Sequence, residues 1–250
     1  MWGVETFPAA ERTVKVMGLT MIAAAFAVGA AAPTFSDAVQ TALRDISFTV
    51  DVETANRSEL RKINKDFAAG YEADMVEVQY KDPLKIRLIS YINRERYIYI
   101  VNEGFKSFSV PRLGIRRTNE DVRKEPGKWQ TLLDFGVITS GMQRSFVKGT
   151  YVRTDRDDQY VFDVTYQYSG DTTRFRIWVD PAKKFVTKRM WYNQKGVLVA
   201  TFLYDNPVQS NGVWFPTRLT VQNAEGKTAG VSIFKAVKAN TGIADSAFKL

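Results

Sequence analysis

The sequence has no histidine and no cysteine in 250 residues. These absences exclude the Ser-His-Asp and Cys-His triads, zinc sites built from His and Cys, haem held by either residue, and iron–sulfur clusters. They also exclude a disulfide framework, so stability has to come from a buried core. Disorder is excluded too, because the chain is 45% hydrophobic and 25% charged. A chain of this length buries roughly 70–75% of its unfolded surface, enough for a core without staples, and fits one large domain or two small ones. What is abundant is positive charge and aromatic surface: 35 Lys+Arg against 27 Asp+Glu give +8, and there are 16 Phe, 11 Tyr and 5 Trp.

Residues 16–32 (VMGLTMIAAAFAVGAAA) carry no charge; Arg12 and Lys15 precede them and Pro33 follows. A basic flank, an apolar run and a small-residue exit describe a secretory signal peptide. Small residues at −3 and −1 fit cleavage after Ala30 or Ala31. The expected division is therefore a signal segment over 1–31 and one domain over 32–250. The alternative is an uncleaved inner-membrane anchor, since the run sits at the short end of a spanning helix. Export to a bacterial periplasm makes nucleic acid an unexpected partner. Residues 1–30 hold Glu5, Glu11, Arg12 and Lys15, so the +8 stays with the remainder. Its expected counterpart is an anionic membrane surface or an envelope membrane protein.

Beyond this run the hydrophobic period is two. Only Ser36–Ile46 (SDAVQTALRDI) opens as a short helix, with Val39, Leu43 and Ile46 on one face. In 160–168, Tyr160, Phe162, Val164, Tyr166 and Tyr168 alternate with Val161, Asp163, Thr165 and Gln167, the pattern of a half-buried strand. In 174–180, Phe175, Ile177 and Val179 oppose Arg174, Arg176 and Trp178. Further strands are expected at 47–54, 73–80, 84–92, 95–101, 105–110, 184–192, 197–204, 213–221 and 228–238. Turn clusters such as Ser169-Gly170-Asp171 separate them, as in an antiparallel meander. Residues 55–69 fit either a helical insert or a long hairpin end. Residues 128–146 are the second helical candidate. The fold class is mainly β: one highly curved antiparallel sheet of roughly ten strands with two helical pieces.

Two runs, 84–92 and 197–204, are apolar on both faces, which a solvated sheet does not need. Either helices cover one face and strand twist closes the other, or the concave face is a groove for an apolar ligand. The groove reading draws on aromatic and Met side chains that give large, adaptable contact: Trp129, Phe135, Met142, Phe146, Trp178, Met190, Trp191, Phe202 and Trp214, with Leu132, Leu133 and Ile138 of the second helical segment. Catalytic and metal constellations are weak throughout. No carboxylate pair has a spacing that fixes acid/base geometry. The RTDRDD run at 153–158 lacks the Gly and Glu of a calcium loop and reads as a hairpin tip. No Lys follows Gly136 and Gly141 as in a phosphate loop. No cofactor and no metal are expected, and no enzyme activity.

Four passages give a resemblance. The short helix runs into SFTVDVET (47–54), and KDPLKIRLIS (81–90) follows. Then come TLLDFGVITSGM (131–142) and the ending from WVDPAKKFVTKRMWY (178–192) to Asn240, Ile243 and Phe248. Together they resemble the LolA/LolB-like superfamily of bacterial outer-membrane lipoprotein carrier and sorting proteins, over about 35–250. The resemblance implies an incomplete β-barrel whose concave face is covered by helices, with 131–142 as a lid over bound acyl chains. It implies a monomeric periplasmic carrier of lipoprotein or lipid acyl chains moving toward the outer membrane, or a sensor module of the same fold. Carrier members place a lid-latching Arg directly before the hairpin Pro. Here that position is Asp82, with Lys81 before it and Arg87 four residues after Pro83.

Overall fold

Alternation becomes strand along most of the chain. In order, the strands are β1 (Asp45–Ala55), β2 (Met75–Lys81), β3 (Lys85–Ile92), β4 (Glu95–Asn102), β5 (Phe105–Val110), β6 (Ile115–Asp121), β7 (Val147–Thr154), β8 (Tyr160–Tyr166), β9 (Arg174–Asp180), β10 (Phe185–Tyr192), β11 (Leu198–Asp205), β12 (Val208–Ser210), β13 (Val213–Phe215), β14 (Arg218–Asn223) and β15 (Thr228–Ala239). The helices are α1 (Arg57–Ile63), α2 (Lys65–Gly70) and α3 (Ser140–Ser145). This computed structural model describes residues 31–250, of which Ala32–Leu250 form one unit. The apolar run at 16–32 lies outside the described residues apart from its last two. Among the described residues no helix is long and apolar enough to cross a membrane.

Thirteen strands form one antiparallel sheet in the order β6-β5-β4-β3-β2-β1-β15-β14-β11-β10-β9-β8-β7, and β12 and β13 pair separately. Two meanders thus meet where β1 pairs with β15. The sheet is not closed, since β6 and β7 are free edges. Register shifts after Ser47 and Val52 in the β1–β15 pair add local twist and bend the sheet. The concave face holds the main core, from Phe48, Val78, Ile86 and Phe162 to Phe202 and Phe234. Helices α1 and α2 and the 128–146 segment cover it.

The apolar second face of β3 and β4 has its own cover. Phe248 packs on Ile98 and Ile100, with Ile243, Ala247 and Leu250 around it. Lys81 and Arg87 fix this tail by donating to the carbonyls of Ile243 (2.9 Å) and Ala247 (3.3 Å). Asp45, buried at the start of β1, accepts from the backbone N–H groups of Thr241 and Gly242.

Several expected elements differ. Ser36–Ile46 is not a helix: only a 3-10 turn forms at Phe35–Ala38, and the chain then extends. Val39, Leu43 and Ile46 are buried all the same. The reason is tertiary: Gln40 N–H donates to Ile138 O (2.8 Å), a bond that an internal helix would have consumed. Residues 55–69 take the helical option, because Asn56 and Asn64 cap α1 and α2 through their side chains. Residues 128–146 are not one helix but a 3-10 turn at Leu132–Phe135, a left-handed Gly136 and then α3. The run 213–221 splits into β13 and β14 at Pro216, which has no N–H for the ladder. Strands β6 and β7 were not anticipated. Both are edge strands: β6 is almost wholly exposed and charged, while β7 alternates with a weak inner face, Val147 buried and Gly149 and Tyr151 half-buried.

Asp82 ties the first meander to α3. Its Oδ1 accepts from Gly141 N–H (2.9 Å), and Oδ2 faces Arg144 (3.4 Å). Where the resemblance places a cationic latch, the polarity is reversed, a carboxylate on the hairpin against donors on the covering segment. A Cβ on Gly141 would lie 2.5 Å from Asp82 Oδ1 and 2.6 Å from Pro83 Cα. We expect Gly141→Ala to lower stability by about 1–3 kcal/mol through overpacking, read as a reduced denaturation midpoint at unchanged m-value.

Candidate functional site

Between the concave face and its covers lies a cavity of about 430 Å³. Its sheet wall comes from Val50 and Val52 of β1, Val76 of β2, Leu88 of β3, and Leu219 and Phe234 of β14 and β15. These positions share the inward face because neighbouring strands pair them in phase, as Val50 with Val76 and with Phe234. The second meander adds Phe175, Arg189, Trp191 and Phe202. The cover adds Phe67 and Tyr71 from α2 and its C-cap, and Trp129 and Phe135 from the 128–146 segment. The exposed lining residues Asp66, Gly70 and Gly127 mark the mouth.

Aromatic contacts fix these walls. Trp129 stacks on Phe146 at 4.8 Å, and its indole N–H donates to Val122 O (2.7 Å). Phe67 meets Phe202 edge-on at 5.9 Å. Tyr71 lies over Gly230 of β15, where a Cβ would come within 2.5 Å of its ring. That bare position lets the α1–α2 cover approach the sheet. Burial pushes the Tyr71 hydroxyl up to about 12, so it stays neutral at any ordinary pH.

The predicted site residues divide into four sets. Trp129, Phe135, Trp191 and Phe202 line the cavity. Leu132, Leu133, Ile138 and Met142 are fully buried behind it, and Phe146 supports Trp129. This segment is pinned from several sides. Tyr80 Oη and Thr139 Oγ1 share a hydrogen bond (2.8 Å), and Val186 N–H donates to Gly136 O (2.8 Å). The exposed and less encumbered cover is α1–α2. Trp178, Met190 and Trp214 do not reach the cavity. Trp178 shares its face with Arg174 and Arg176, as strand alternation requires; its indole N–H donates to Asp155 (2.7 Å) and Lys188 lies over its ring at 4.5 Å. Lys183 covers Trp214 at 5.4 Å. These outer aromatics are shielded by cations rather than by core. Lys81, Asp82 and Arg87 hold the tail and α3, away from the cavity lining.

Arg189 was not anticipated. It is 4% exposed and the only cation among the lining residues. Its position was legible, because in β10 it stands two residues from Trp191 and shares its face. Its Nη1 donates to Asp134 Oδ1 (2.9 Å), and Phe202 and Phe175 lie beside the guanidinium at 4.1 and 5.3 Å. Asp134 Oδ2 accepts from Thr131 N–H (2.9 Å), so one carboxylate caps the 3-10 turn and neutralises the arginine. Desolvation works against the charge of Arg189, but the neighbouring Tyr204 and Asp134 outweigh it and raise its pKa. Catalytic geometry is not assembled here. Ser145 and Lys148, and Ser232 and Lys235, stand at S-x-x-K spacing, yet Ser145 Oγ donates to Gly141 O (2.9 Å), Lys148 is exposed on β7, and Lys235 pairs with Asp51 (2.6 Å). Among the described residues no cluster of Asp or Glu is placed to hold a metal.

The Asp134 side chain is 29% exposed, so removing Arg189 leaves a partly solvated carboxylate and a gap in the wall. Arg189→Ala is expected to lower stability by about 1–3 kcal/mol, while Arg189→Met combined with Asp134→Asn recovers most of the loss. Thermal melts of the two variants beside the parent protein check this.

Solved structures with the same architecture share little sequence. A DUF1329 family protein from Desulfovibrio piger is 14% identical, with a TM-score of 0.53, over 83% of this chain and 90% of its own. A LolA superfamily protein from Nitrosomonas europaea is 14% identical, with a TM-score of 0.57, over 86% and 94%. A domain assigned to outer membrane lipoprotein sorting from Vibrio parahaemolyticus is 12% identical, with a TM-score of 0.56, over 86% and 92%. The fold is thus LolA-like. A family model described only as an uncharacterized protein matches residues 146–250. Comparison with curated protein sequences gives no match.

Proposed function

We propose that this LolA-like fold serves as a periplasmic carrier, holding acyl chains of lipoproteins or lipids in its cavity for transfer toward the outer membrane. The observation that carries this reading is the cavity itself, apolar on most of its wall and set between an open curved sheet and the α1–α2 and 128–146 covers. The apolar N-terminal run and the missing cysteine and histidine fit an exported protein that works by burial rather than by reaction.

The cavity of about 430 Å³ receives the apolar part of an acyl ligand. Burial contributes about 0.8 kcal/mol per methylene, so a chain burying about 14 of them contributes about 11 kcal/mol, close to the roughly 12 kcal/mol of a nanomolar complex. Ordering the chain and the covers lowers the net figure, so a single acyl chain is held firmly and still released.

The +8 supplies a docking role. At the β5–β6 connection Leu113 (58% exposed) and Ile115 (40%) stand out of the surface beside Arg112, Arg116 and Arg117. An apolar tip with a basic collar suits an anionic membrane surface, at about 1 kcal/mol per cation near it.

Native mass spectrometry of freshly isolated protein is expected to show a bound mass of a single-chain acyl compound. Phe67→Glu places a charge in the wall from a half-buried position on α2, and is expected to empty the cavity with little change in melting temperature. A parent protein that is empty when isolated and binds no fluorescent fatty acid contradicts the carrier reading. For the tip, Leu113→Glu with Arg117→Glu is expected to abolish sedimentation with phosphatidylglycerol-containing vesicles and leave acyl binding intact.

A further inference from the structure

Carboxylates without an ion-pair partner among the described residues stand at the mouth of the cavity, whereas its one cation lies inside, paired with Asp134. Asp66 stands at the mouth, and Asp171 lies beside Gly127 there, with its carboxylate 3.9 Å from where a Gly127 Cβ would be. An anionic head group held at the mouth faces these carboxylates. Inside, the one cationic lining residue is Arg189. Its guanidinium offers five N–H donors in a planar fork. One reaches Asp134, while Nε–H is buried without any partner. Arg87 Nε and Glu95 Oε2 are also buried without partners, but neither residue lines the cavity. An unsatisfied donor in a desolvated arginine is costly unless an acceptor arrives, and a charged acceptor there forms a strong bond.

We propose that the cavity takes a single-chain amphiphile with a carboxylate head, bound head inward against Arg189. This inference rests on reading the cavity as an acyl site and names its ligand class. A carboxylate fits because its two oxygens match the guanidinium fork. It is also small enough to leave the cavity's volume to the chain. The chain then occupies the apolar remainder, against Val50, Val76 and Phe234. Asp134 is the internal competitor. It already occupies Nη1, and its charge opposes a second carboxylate.

Tryptophan fluorescence reads the site directly, since Trp129 and Trp191 line it. The purified protein is titrated with palmitate and with methyl palmitate, which share a chain and differ in the charged head. Palmitate is expected to bind about tenfold or more tightly, the contribution of a charge-assisted hydrogen bond. Asp134→Asn is expected to tighten palmitate further without tightening the ester, and Arg189→Gln to bring the two ligands level. Equal affinity of palmitate and ester for the parent protein overturns the head-inward assignment and leaves the acyl site standing. Binding of neither ligand overturns the acyl reading itself. Loss of both affinities together in Asp134→Asn also counts against the assignment. The comparison of two ligands on the parent protein decides the matter even where Arg189→Gln does not fold.

Discussion

The pairing of β1 with β15 is the constraint on which the rest of the structure depends. It joins the first strand of one meander to the last strand of the other, across nearly the whole described chain, from Ile46 opposite Ala239 to Ala55 opposite Gly230. Without it there are two narrow sheets, each too flat to enclose anything. With it, thirteen strands share one twist, and the register shifts after Ser47 and Val52 bend the sheet at its centre. The cavity lies on the inner side of that bend, and Val50, Val52, Ser232 and Phe234 of the pair line it.

An open sheet with apolar residues on both faces has to be covered twice. The concave side is covered by α1–α2 and by the pinned 128–146 segment. The convex side of β3 and β4 is covered by the tail around Phe248. The remaining convex face manages its aromatics with cations: Arg174 over Tyr192 at 4.0 Å and Lys188 over Trp178 at 4.5 Å. Part of the +8 is therefore spent on the protein's own surface. Near Leu113, Arg112 pairs with Glu95 (3.0 Å) and Arg116 donates to Leu250 O (2.9 Å), and the exposed Arg117 stands beside them. The covers also differ in kind. The 128–146 segment is held by buried hydrogen bonds to three other parts of the chain. Helices α1 and α2 are short, capped by asparagines and exposed on their outer sides, so they are the cheaper part to move.

Cavity and charge together narrow the chemistry. A wall of Val, Leu and Phe recognises any chain, so it gives affinity without identity. Arg189, buried inside such a wall and met by a partly exposed Asp134, is costly to place there, and its unused donor is the feature of the site that favours a ligand bringing an acceptor.

The sequence by itself determined the β architecture, the meander order and most strand positions, because period-two alternation is a local consequence of one face being buried. It also determined what chemistry is absent. It placed Trp129, Phe135, Trp191 and Phe202 among cavity candidates, since large aromatic side chains on strands and covers have to be buried somewhere. Only the tertiary structure decided which aromatics line a space and which sit outside under cations, although Trp178 already shared its alternation phase with Arg174 and Arg176. Tertiary contacts also turned the helical periodicity of 36–46 into extended chain, because a bond to Ile138 was worth more there than an internal one. The edge β6 carried no pattern because nothing buries it, and β7 carried a weak one because Gly149 stands on its inner face, where Phe35 packs, instead of a large apolar residue. The role of Arg189 emerged only when the second meander folded over it and withdrew its guanidinium from water, since the cost of an unpaired donor is set by burial and not by residue type.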